Sequence, residues 1–133
     1  MKRFAWLNPC VNIEGLLPEL TQRGLQADFL HSASAANAAL EKFSYPLLVM
    51  NHAISPGDDG HLLLHAGADS GLNYHRAIGE HFIYNLQKTK NPPHIIIATN
   101  LPARNSLPVE YHTVYSGAPV KAFLDRVLLL LSH

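Results

Sequence analysis

A chain of 133 residues with 47% hydrophobic and 15% charged residues, ten basic against ten acidic, carries a formal net charge of zero. Single cores span about 100–200 residues, so one domain over residues 1–133 is expected, neither disordered nor carrying the basic footprint of a nucleic-acid binder. Cys10 is the only cysteine, which excludes an intrachain disulfide and a cysteine-based zinc site and fits a reducing, cytoplasmic setting.

The first apolar run, residues 3–7, reads as a strand ended by Asn8-Pro9. It is too short for a signal peptide. Ile13, Leu16, Leu17 and Leu20 recur at helical spacing, with Gly24 as a stop and Pro18 inside the stripe, so this helix starts late or bends. Residues 27–31 form a second, mixed strand. Ser34 is placed to cap an alanine-rich helix running to Lys42. Residues 46–50 and 95–99 contain near-continuous aliphatic runs, the pattern of parallel strands buried on both faces. Between them a helix over 74–89 sets Ile78, Phe82, Ile83 and Leu86 on one face. A mixed edge strand over 111–115 and a helix over 120–131, entered through Pro119, complete the chain. The longest apolar run, 127–131, is far below the ~20 residues that span a bilayer, so no membrane partner is expected.

Strands alternating with helices imply an α/β fold with a parallel sheet. Right-handed crossovers and this length favour a flavodoxin-like, doubly wound sandwich of five strands, order 2-1-3-4-5, with helices on both faces. Ligands in such folds bind outside the carboxyl ends of the strands. Those positions are Asn8, Pro9 and Cys10, then Asn51 and His52, then Thr99 and Asn100, then Ser116, Gly117 and Ala118. All are uncharged, which argues against an enzyme, because catalysis normally needs a group of tuned pKa.

The stretch YPLLVMNHAISPGDDG, Thr99 after IIIA, and Tyr115-Ser116-Gly117-Ala118-Pro119 resemble, in this order, three landmarks of response-regulator receiver (CheY-like) domains. These are the third strand with its P-G-x-D-G turn, the hydroxyl residue ending the fourth strand, and the aromatic-x-x-lysine-proline signature. The resemblance implies a signalling module of phosphorelay type. It also implies switch roles for Thr99 and Tyr115. The departures from that pattern define a degenerate receiver. Asn8-Pro9 stands where receivers carry an acidic pair, Asn51 where the phosphorylated aspartate stands, and Ala118 where the lysine stands.

An amide oxygen is a poor nucleophile, Mg²⁺ needs hard anionic oxygens, and the missing lysine removes the charge that pairs with a phosphoryl group. The expectation is a non-phosphorylatable module, without metal or cofactor, that works through a signalling partner or as a homodimer. The contact would use Leu129 and Leu130 of the last helix beside Tyr111 or His112 of the fifth strand, since these leucines point away from the stripe that docks the helix. The alternative is a small-ligand binder or enzyme of the same fold. Its site would comprise Asn8, Cys10, Asn51, His52 and Thr99 beneath the long 57–73 loop.

Other signals are weaker. Nine histidines include His61 and His65, four apart and near Asp58, Asp59 and Asp69, a conceivable metal site that competes with scattered solvated side chains. Cys10 lacks the arginine of a thiol-phosphatase loop, since Leu16 occupies that place. Glycine-rich phosphate loops and nucleophile elbows are missing.

Overall fold

The computed structural model describes residues 2–9, 13–54, 72–99, 109–114 and 118–132, the side chains of 72–75 and 118–119 excepted. In chain order the elements are β1 (Lys2–Leu7), α1 (Ile13–Gln22), β2 (Leu25–Leu30), α2 (Ala33–Lys42), β3 (Leu47–Met50), α3 (Leu72–Gln87), β4 (His94–Thr99), β5 (Glu110–Thr113) and α4 (Ala118–Leu131). The five strands form one all-parallel sheet in the order β2-β1-β3-β4-β5, as expected for a flavodoxin-like α/β fold.

Alternating side chains build a separate core on each face of the sheet. Phe4, Trp6, Leu47, Val49, Ile96 and Ala98 point to the face covered by α1 and α4. Ala5, Leu7, Leu48, Met50, Ile95 and Ile97 point to the face covered by α2 and α3. Trp6 anchors the first core. Its ring centroid lies 6.1 Å from Phe4, 5.9 Å from Phe29 and 5.5 Å from Phe123. The indole Nε1 is buried without a hydrogen-bond partner. That vacancy costs about 1–3 kcal/mol. Burial of the aromatic surface offsets it.

Several local expectations change. Helix α1 runs through Pro18 rather than starting after it, and of its stripe only Leu16 and Leu20 are buried while Leu17 is exposed. Ser32, not Ser34, caps α2: its extended backbone (φ −160°) lets its hydroxyl accept the Ala35 N–H at 3.1 Å. Strand β2 begins at Leu25, two residues early, because Gly24 turns the chain at φ +67° and accepts the Lys2 N–H at 2.9 Å. Strand β5 ends at Thr113, and Tyr115 lies outside the described residues.

Candidate functional site at the carboxyl edge of the sheet

The parallel ladder continues one residue past β1 and β3. Asn8 N–H donates to the Leu30 carbonyl at 2.8 Å, and Asn51 N–H donates to the Leu7 carbonyl at 3.1 Å. Asn8 leaves the ladder in a left-handed conformation, φ +48°, which asparagine tolerates better than most residues. Its Oδ1 is buried without a partner. The Asn51 amide is committed locally: its Oδ1 accepts the His52 N–H at 2.9 Å.

His52 is fully buried. Its Nδ1 lies 3.2 Å from the Tyr111 hydroxyl and its Nε2 lies 3.3 Å from a Glu80 carboxylate oxygen. A Glu80 carboxylate can only accept, which makes Nε2 the donor, while the role of Nδ1 towards the Tyr111 hydroxyl, a group that can donate or accept, follows the protonation of the ring. The side chain that follows β3 thereby joins β5 to α3. The His52 and Tyr111 rings also meet edge-on, 6.1 Å between centroids at 77°. His52 is a brace between elements.

Close approach of α3 makes the brace possible. A Cβ built on Gly79 would stand 2.0 Å from the His52 carbonyl oxygen, so the helix backbone lies directly against the turn after β3. One turn earlier on the same helix, Arg76 is only 8% exposed. Its Nε has no hydrogen-bond partner, and no salt bridge among the described residues reaches it. Glu80 and Arg76 were not singled out from the sequence. The signal was present: Arg76, Gly79, Ile83 and Leu86 share helical spacing, which puts a charge and a glycine in an otherwise apolar stripe.

The remaining expected positions fall in different places. Thr99 is fully buried at the end of β4, and its carbonyl accepts the Val114 N–H at 2.8 Å. Pro9 follows Asn8 at the edge, and Ala118 opens α4. Cys10, Asn100, Ser116 and Gly117 lie outside the described residues, as do His61, His65, Asp58, Asp59, Asp69 and the loop from 57 up to the start of α3. Among the described residues no group of three or more His, Cys, Asp or Glu side chains could hold a metal ion.

The expected contact surface is split by the sheet. Leu129 is 51% exposed on α4, Leu130 packs partly into the core beneath α1 and α4, and Tyr111 packs into the core of the opposite face. His112 is the β5 residue on the α4 side, 5.8 Å from the Phe123 ring. Beside it, Glu110 accepts from His112 Nε2 at 2.7 Å and from both the Nε and a terminal nitrogen of Arg126, the latter at 2.8 Å. Arg126, aided by His112, holds the Glu110 carboxyl well below its usual range, at about 2.

No helix among the described residues is long and apolar enough to cross a membrane. No protein-family model matches the chain, and no curated protein or solved structure is significantly similar to it.

Proposed function

We propose that this chain is a receiver-like signalling module without phosphoryl chemistry, acting through contacts with a protein partner or a second copy. The observation that carries the reading is Asn51. It directly follows β3, at the position where the receiver resemblance would put an acceptor carboxylate, and its amide oxygen is already engaged by the His52 N–H at 2.9 Å. An amide neither attacks a phosphoryl group nor holds Mg²⁺ as a carboxylate does. The His52 bridge to Tyr111 and Glu80 supplies what a relay without phosphate needs, a path from the edge to β5 and α3. Intact-mass measurement after incubation with acetyl phosphate and Mg²⁺ tests the reading. No mass gain is expected, and a stoichiometric phosphoryl gain lost in Asn51→Ala would overturn it.

A second reading, a small-ligand binder with its site at the same edge, is favoured by a separate observation. Two polar atoms, Asn8 Oδ1 and Arg76 Nε, are buried without partners among the described residues.

A further inference from the structure

Edge strands are usually guarded against pairing with another chain by short length, lysine, proline or a bulge. The two edge strands of this sheet differ in that respect. β5 has four residues, and Arg126 and His112 close on Glu110 at its start. β2, at the other edge, has six residues, LQADFL, with neither lysine nor proline. It follows β1 partner for partner from Leu25 to Leu30, without a bulge.

The ladder to β1 shows which groups β2 turns outward. Along a strand, successive residues direct their N–H and C=O alternately to one side and the other. Gly24 and Leu30 give their carbonyls to β1, to the Lys2 N–H at 2.9 Å and the Asn8 N–H at 2.8 Å. Gln26 and Asp28 share that parity, so the backbone groups of Leu25, Ala27 and Phe29 face away from β1. Among the described residues these outward groups have no hydrogen-bond partner. The side chains of the same three residues pack on the α1 and α4 side, where Phe29 is half-buried with its ring 5.9 Å from Trp6.

This edge is complementary to itself. Opposite residues of an antiparallel pair share a face, so a two-fold axis between identical strands has to pass through a residue position. With the axis at Ala27, Ala27 meets Ala27, Leu25 meets Phe29, and each outward N–H finds an outward carbonyl. On the other face Gln26 comes opposite Asp28 in a non-hydrogen-bonded pair, where side chains are closest. Arg3 and the Tyr45 hydroxyl both take Asp28 Oδ2, which leaves Oδ1 to accept from the Gln26 amide. An axis at Asp28 would instead oppose two carboxylates. The zero net charge of the chain sets no long-range repulsion between copies.

We propose that β2 is a self-association edge: two copies pair antiparallel about Ala27 and join their sheets into one. The edge is separate from Leu129 on α4, which stays available to a different partner. Pairing does not involve Asn51, so it stands or falls independently of the phosphorylation test.

Sedimentation equilibrium from low to high micromolar concentration, with the charge at position 26 varied, tests the register. Gln26→Lys puts an ammonium opposite Asp28 in both symmetry-related pairs and is expected to tighten the dimer about 2- to 30-fold. Gln26→Glu puts like charges there and should weaken it by about as much. A position that mattered only to the fold of one copy would not move association in opposite directions. Ala27→Pro removes an N–H that β1 does not use and sets a ring against the second copy, so it should abolish the dimer. Circular dichroism shows whether that variant stays folded; if it does not, the two Gln26 variants decide. In wild type, amide exchange at Leu25, Ala27 and Phe29 should slow as concentration rises, while Gln26 and Asp28 stay protected throughout. A wild type that is monomeric at high micromolar concentration would overturn the proposal. So would parallel shifts or no shift in the two Gln26 variants, or a folded Ala27→Pro that still pairs.

Discussion

Gly79 and His52 meet backbone to backbone: the α-carbon of one rests so near the carbonyl oxygen of the other that a Cβ would stand 2.0 Å away. At an exposed helical position, glycine to alanine stabilises by up to about 1 kcal/mol. Here the methyl group meets backbone that cannot swing aside. Gly79→Ala is therefore expected to destabilise by about 1–3 kcal/mol, the usual cost of overpacking. Urea denaturation gives the sign directly. A stabilised variant would show that α3 and the turn after β3 are not in contact.

The same approach brings Glu80 within reach of His52 and leaves Tyr111 on the other side of the ring. If His52 joins β5 to α3, its bond to Tyr111 must appear as coupling rather than as two independent losses. Tyr111→Phe in the wild-type background is expected to cost about 1 kcal/mol. In a His52→Leu background much of that cost should vanish, giving a coupling energy of about 0.5–1.5 kcal/mol in a double-mutant cycle. Additive effects would remove the bridge, and with it the proposed path from the edge to β5.

The fold was legible in the sequence because its strongest signals are periodic and local. The runs LLVM and HIIIAT become β3 and β4, buried along nearly their whole length, and the stripe Ile78, Phe82, Ile83 and Leu86 docks α3 as its spacing requires. Errors arose where tertiary contacts overrule local preference. Pro18 is accommodated inside α1, and Ser32 rather than Ser34 has the extended backbone that a cap needs. The site was half legible. Asn51 and His52 were found because topology puts strand ends at the edge, but Glu80 and Arg76 come from a helix that follows a long connection. Their relation to the edge depends on how α3 docks, which periodicity alone does not give. Tyr111 and His112 were both left as neighbours of the last helix for the same reason: residue alternation puts them on two faces, and only packing shows that α4 covers the His112 side.

Leu129 is the most open part of the expected contact surface. It is 51% exposed on α4, whereas its neighbour Leu130 is partly buried and would harm the core if charged. Leu129→Glu alone is the informative substitution. A leucine left in water forgoes about 1.5–3 kcal/mol relative to burial, so a contact centred on it should weaken about 10-fold or more. Sedimentation equilibrium of wild type against Leu129→Glu checks this. The expected result is self-association or partner binding by the wild type that the variant loses. A wild type that stays monomeric at high micromolar concentration, and a variant that keeps its partner, would take α4 out of the interface.

The Glu110 cluster makes stability depend on acid in a defined window. Arg126 donates to both oxygens of Glu110 and His112 donates to one, and together they lower its pKa from the ordinary 4.5 to about 2. A carboxylate whose folded pKa is depressed contributes stability above its unfolded pKa and loses it as pH falls through the folded value. The contribution is thus complete above pH 4.5 and disappears between 4.5 and about 2. The shift alone would correspond to about 3 kcal/mol. Solvent screens the pair, since the Arg126 side chain is 38% exposed. About 1–2 kcal/mol is the expected share. In Glu110→Gln the amide accepts from Arg126 but carries no charge, so wild type and variant should differ near neutral pH and converge as pH falls towards 2. Urea midpoints of the two proteins between pH 7 and pH 2.5 measure that convergence. A gap that stays constant with pH would mean that Glu110 contributes through its hydrogen-bond geometry and not through its charge.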